Sequence, residues 1–104
     1  MGRYVKGDVV LASVRIDAKS GAKVRPCIVV STTDTGTLVV CPISSRPACD
    51  TATVPVSLDD FSTGGLDLFR ESYILTSRQC RITCREIVGK KGRLSDEFIA
   101  SNIH

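Results

Sequence analysis

The sequence has no tryptophan, one histidine (His104, the last residue), and aromatic residues at only 5% of its 104 positions. Without large rings the core must be built from aliphatic side chains. Val and Ile dominate the apolar runs, and β-branched side chains favour strands. The shortage of histidine removes the usual base of a nucleophilic triad and a common metal ligand. No run approaches the roughly 20 apolar residues that span a bilayer. The charged start, Met1 to Asp8, lacks an apolar h-region, so no signal peptide is expected. The chain also contains no G-x-G-x-x-G, Walker loop, H-E-x-x-H or G-x-S-x-G, which leaves no basis for dinucleotide, P-loop, zincin or α/β-hydrolase chemistry.

What is present suits a small globular protein. A hydrophobic fraction of 42% argues against disorder. The length suits one domain, residues 1–104, burying roughly two-thirds of the surface its unfolded chain exposes. The five cysteines are Cys27, Cys41, Cys49, Cys80 and Cys84. An odd number without a secretion signal argues for reduced thiols and a cytoplasmic location. Cys27 and Cys41 lie in apolar runs and read as small hydrophobes. Cys80-x-x-x-Cys84 could be half of a metal site, but the usual zinc spacings are missing. The expectation is therefore no metal and no cofactor.

The formal net charge of +3 is unevenly spread. Residues 1–25 hold six Lys/Arg against two Asp, and residues 75–93 hold six against one Glu, while the stretch between them is acidic. Two basic segments meeting in space would make a face that attracts phosphates. The plainer reading is two solvated strand edges.

Along the chain, Val9–Val14, Val24–Val30, Thr37–Ile43, Ala52–Val56 and Ser72–Thr76 read as strands. Pro26 should sit at the start or edge of its strand, because it has no N–H for the ladder. Residues 15–23, 32–36, 44–51 and 57–68 read as loops or turns. The stretch 78–88 is open between strand and short helix, and 89–94 reads as a turn or edge segment. Ser95 is placed to cap a helix, with Asp96 and Glu97 at its positive end and Leu94 and Ile99 as a hydrophobic staple. Short strands with one C-terminal helix imply a mostly β, strongly curled sheet or partial barrel.

RNA carries its own nucleophile, the 2′-OH. A protein that cuts it needs to orient that hydroxyl, stabilise the crowded phosphate anion and move two protons. Arginine's planar fork pairs with phosphate oxygens. Two segments offer such groups beside apolar strands: Arg25 next to Pro26, and Ser44-Ser45-Arg46 after Pro42-Ile43. Each alone also reads as an ordinary surface arginine or turn. Lys23, Arg46, Arg78 and Gln79 are candidates for RNA backbone or base contacts, each with an equally plain reading as an exposed polar residue. Phe61 and Phe69 could stack on bases or anchor their loop into the core.

The order of these pieces resembles the MazF/PemK (Kid) toxin family of type II toxin–antitoxin systems. It begins with Lys6-Gly7-Asp8-Val9-Val10, then Gly21-x-x-Val24-Arg25-Pro26-x-Ile28-Val29-Val30, then Val39-Val40-x-Pro42-Ile43-Ser44-Ser45-Arg46. Val54-Pro55-Val56, Gly65-Leu66 and Gly92-Arg93-Leu94-Ser95-Asp96-Glu97 follow in the same order. The resemblance implies a small SH3-like curled β-barrel of the MazF/PemK/CcdB type with a C-terminal helix. It implies a homodimer that cleaves single-stranded RNA, such as mRNA, at short sequences without metal, leaving a 2′,3′-cyclic phosphate and a 5′-hydroxyl. The implied protein partner is a cognate antitoxin. Carried over by position, the family's catalytic residues fall on Arg25 and Ser44, with Lys23, Ser45, Arg46, Ser77, Arg78 and Gln79 as RNA-binding candidates. The acidic residue that many members carry after the Tyr73-Ile74-Leu75 strand has no counterpart, since the stretch reads Thr76-Ser77-Arg78-Gln79. The alternative is a non-catalytic protein of the same fold that binds RNA or a protein target such as a topoisomerase.

Overall fold

The computed structural model describes residues 4–14, 21, 23–33, 35–44, 53–64, 72–76 and 78–102. Eight strands, two single-turn 3₁₀ segments and one helix follow in order. The strands are β1 (Asp8–Val14), β2 (Lys23–Thr32), β3 (Thr37–Ser44), β4 (Val54–Val56), β5 (Phe61–Gly64), β6 (Ser72–Ile74), β7 (Cys80–Thr83) and β8 (Ile87–Leu94), and helix α1 spans Asp96–Asn102. They form one antiparallel sheet ordered β4-β6-β3-β2-β1-β8-β5, with β7 also paired to β3. The mostly β, curled sheet with a C-terminal helix agrees with the sequence expectation. None of the described helices is long and apolar enough to cross a membrane.

The sheet is apolar on both faces, which explains why its strands read as continuous hydrophobic runs and not as a clean alternation. One face carries Val9, Ile28, Cys41, Ile43 and Ile74, packed under Phe98 and Ile99 of α1. The other carries Val10, Ala12, Cys27, Val29, Val40 and Ile82, with Tyr4 and Ile87 against them. This second face is the one turned away from α1. Each fully buried Val or Ile contributes about 1.5–3 kcal/mol relative to exposure.

The Lys6-Gly7-Asp8 turn fastens the start of the chain. Gly7 has φ +98°, and a Cβ there would run into the Ile99 side chain, so only glycine fits. Its N–H donates to Val29 O (2.9 Å), and its carbonyl accepts from Leu94 N (3.0 Å). Asp8 is fully buried, yet its carboxylate accepts from Val5 N at 2.9 Å and from Arg93 Nη1 at 3.2 Å. Lys90 Nζ lies 3.2 Å from the same carboxylate.

Several boundaries differ from the sequence reading. Residues 89–94 form the second half of β8, an inner strand between β1 and β5, and not a turn or edge. Its register shifts against β1 twice, so glycines and lysines that look like a turn sit at bulges. The 57–68 stretch holds a 3₁₀ turn at Leu58–Asp60 and strand β5. Within 78–88, β7 is followed by a 3₁₀ turn at Cys84–Glu86, so both readings hold in part. Pro26 lies inside β2 opposite Leu11, but the ladder to β3 ends one residue later, at Cys27 and Pro42. The missing N–H is thus accommodated where one neighbour is lost. Ser95 caps α1 as expected: its Oγ accepts from Phe98 N at 3.2 Å, and Leu94 and Ile99 share the same core cluster.

Candidate functional site

The second half of β3 changes partners. Residues Thr37–Val40 pair with β7, and Ile43–Ser44 pair with β6. Pro42 sits at the change, and its carbonyl accepts from Leu75 N at 2.9 Å. Ser44 is therefore the last residue of β3 and lies opposite Tyr73.

On the other side of β3, the pairing with β2 runs Val29–Val40, Ile28–Cys41 and Cys27–Pro42. The pairing stops there, and Arg25 and Ser44 each lie two residues beyond that last pair, toward the same end of the two adjacent strands. Side chains alternate faces along a strand, so Arg25 follows Cys27 and Val29 onto the face away from α1. Ser44 shares that face, because its neighbour Ile43 belongs to the opposite cluster. The pairing of Arg25 with Ala12 on β1 agrees, since Ala12 lies in the same cluster as Cys27 and Val29. Two candidates 19 positions apart in sequence thus stand on adjacent strands, both half-buried, toward one end of that face.

The setting of Arg25 is chemically specific. Its Nε is buried and meets no hydrogen-bond partner among the described residues. An unmet buried donor costs about 1–3 kcal/mol, so a guanidinium held this way favours an anion that supplies the acceptor. The Arg25 carbonyl accepts from the Cys27 thiol at 3.5 Å. Burial pushes that thiol up to about 12, with Cys80 and Cys41 adding to the effect and Arg25 only partly opposing it. The Cys41 thiol is raised to about 11, again mainly by burial, and that of Cys80 is raised by burial. These thiols are protonated at neutral pH and make poor nucleophiles.

Arg78 lies in the turn between β6 and β7. The turn after β6 is closed by Arg78 N donating to Leu75 O at 3.0 Å. The Arg78 carbonyl accepts from Cys80 Sγ at 3.6 Å, and its Nε is buried. Gln79 and Lys23 are exposed, Lys23 at the start of β2 opposite Val14. Ser45, Arg46 and Ser77 lie outside the described residues, as do Phe69, Cys49 and His104. Phe61 packs against the core cluster beneath α1, which is the anchoring reading and not the stacking one. Cys80 and Cys84 hydrogen-bond away from each other, to Arg78 O and Gly36 O. Among the described residues no three His, Cys, Asp or Glu side chains gather at one point.

Tyr73 escaped the sequence reading. In sequence it is one aromatic in a short apolar run, and only the register with β3 reveals that it stands beside Ser44.

Comparison with protein families gives one match: a family model described as PemK-like, MazF-like toxin of type II toxin-antitoxin system covers residues 5–101. No individually curated protein matches the chain.

Proposed function

The chain belongs to this PemK-like, MazF-like family of type II toxins, and on that premise we propose that it is a metal-independent endoribonuclease that cuts single-stranded RNA. The observation that supports the reading is that Arg25 and Ser44 lie at the same end of adjacent strands, each two residues beyond the last β2–β3 pair, with the Arg25 Nε lacking a partner among the described residues.

In this reading the RNA supplies the nucleophile. The 2′-oxygen attacks the adjacent phosphorus, the P–O5′ bond breaks, and the products are a 2′,3′-cyclic phosphate and a 5′-hydroxyl. The proton leaves the 2′-OH, and the departing 5′-oxygen gains one. Charge builds on the non-bridging oxygens as the phosphorus becomes five-coordinate, and Arg25 stabilises it with a charge-assisted hydrogen bond. Arginine stays protonated throughout the working range, so it serves as an electrostatic anchor and not as the base. The Ser44 hydroxyl donates to a phosphate oxygen and fixes the in-line geometry. Lys23, Ser45, Arg46, Ser77, Arg78 and Gln79 extend the contact along the RNA, while a cognate antitoxin and a second copy of the chain are its protein partners.

The test is incubation of the purified protein with sequence-diverse RNA in excess chelator. Discrete cuts by the wild-type protein, lost in a folded Arg25→Ala variant, are expected. Undiminished cutting by that variant would overturn the reading.

A further inference from the structure

We propose that Tyr73 and Pro55 form a nucleobase-binding subsite beside the Arg25–Ser44 pair, in which the Tyr73 ring stacks on a base next to the bound phosphate. The proposal rests on the RNA reading above and assigns to it residues that no motif singled out.

Four strands place one residue each in a row. Tyr73 pairs with Ser44 on one side and with Pro55 on the other. Arg25 on the neighbouring β2 lies at the same end as Ser44, each two residues past the last β2–β3 pair. All four share a face. Their neighbours Ile74, Ile43, Val54 and Val56 belong to the cluster under α1 or pack against it, which sends Tyr73, Ser44 and Pro55 to the opposite side. The row is accessible: Tyr73, Ser44 and Arg25 are half-buried and Pro55 is exposed.

The chemistry changes along the row. Arg25 and Ser44 supply a cation and a hydroxyl, which suit a phosphate. Tyr73 and Pro55 supply flat apolar surfaces, which suit the face of a ring. Paired strands are about 4.8 Å apart, so Tyr73 lies about that far from Ser44 and roughly two strand spacings from β2. A nucleotide bridges such a span from its phosphate to its base. A cavity of about 230 Å³ lined by Pro55, Val56, Ser57 and Asp60 adjoins the Pro55 end of the row. A half-buried tyrosine in a short strand usually packs against its cross-strand neighbour. Here those neighbours are a serine and a proline, which leaves the ring no partner of its own size in the row. Stacking is tolerant of base identity, so this subsite contributes grip and not sequence choice.

The chain has two tyrosines, Tyr4 and Tyr73, and no tryptophan, so a Tyr4→Phe protein reports on Tyr73 alone. We would titrate it with 2′-O-methyl oligonucleotides tiling a single-stranded RNA, which bind but lack the nucleophile, and follow binding independently by anisotropy of a labelled strand. The expected result is saturable quenching of the Tyr73 emission. Tyr73→Leu should weaken binding roughly 5- to 150-fold, the equivalent of one base–aromatic stack. Tyr73→Phe should recover most of that loss. Bound RNA that leaves the emission unmoved, or a Tyr73→Leu protein of wild-type affinity, would overturn the subsite. So would Tyr73→Phe behaving like Tyr73→Leu, which would assign the effect to the phenolic O–H. RNA that is cut while Tyr73 stays silent refutes the subsite alone. RNA that quenches Tyr73 while its unmethylated copy stays intact refutes the nuclease reading and keeps the subsite. Quenching by acidic peptide but not by RNA would refute both.

Discussion

Arg25 stands opposite Ala12 on one side of β2 and, on the other, lies at the same end as Ser44 of β3, each two residues beyond the last pair, Cys27 with Pro42. The first neighbour is a small side chain in the apolar lining, which gives the guanidinium room. The second is a hydroxyl. The pair marks the point where the apolar face away from α1 gives way to polar side chains.

Replacing Arg25 with Ala should leave the fold intact and lower kcat by roughly 10²- to 10³-fold, the usual cost of removing one donor aimed at developing charge. Arg25→Lys should recover only part of the loss, because an ammonium cannot reproduce the planar fork. Single-turnover cleavage of one RNA by the three proteins, with circular dichroism as the fold control, checks this.

At Ser44, Thr should be tolerated and Ala should not. Threonine keeps the hydroxyl and stiffens it at χ1, whereas Ser44→Ala removes one hydrogen bond worth about 0.5–1.5 kcal/mol, or up to roughly tenfold in rate. Both variants end β3 at the same pairing with Tyr73, so their melting temperatures should stay close to that of the wild type. Parallel rate and melting measurements decide it.

The thiols predict an alkaline limit to stability. Cys27 is raised from 9.0 to about 12 and Cys41 from 9.0 to about 11, both by burial. The folded protein therefore holds these protons more tightly than the unfolded chain does. Their contribution is complete below pH 9 and is lost as pH rises toward 11–12. Urea midpoints measured at pH 8, 9 and 10 should be flat at first and then fall. In the same protein exposed Cys84 should alkylate quickly, while Cys27 and Cys41 should react only when the sheet opens. Peptide mapping after timed alkylation separates these classes.

Asp8→Asn should be strongly destabilising although it lies outside the candidate site. The carboxylate is 1% exposed and holds Val5 N, Arg93 Nη1 and Lys90 Nζ. The Lys90 contact is half solvated and counts for little. The other two fasten the first turn to β8, and weakening a buried charged acceptor costs about 2–4 kcal/mol. The melting temperature should fall by roughly 10 °C or more, measured by differential scanning calorimetry.

Much of the fold could be read from the sequence because its signals are local. The Val- and Ile-rich runs of β1, β2 and β3 and the Ser95 cap depend on neighbours a few residues away. The inner strand β8 was hidden because Gly89, Lys90, Lys91 and Gly92 are turn-like in composition, and only pairing with β1 and β5 makes them a strand. The site divides in the same way. Arg25 and Ser44 stand in motifs, whereas Tyr73 owes its place to a cross-strand register that no local pattern encodes.

The central claim is tested most directly by mapping the ends of RNA incubated with the pure protein in EDTA. The account predicts discrete cuts in single-stranded regions, each leaving a 2′,3′-cyclic phosphate and a 5′-hydroxyl, and none with Arg25→Ala. Intact RNA across a sequence-diverse substrate, or cuts that leave a 5′-phosphate, would contradict it.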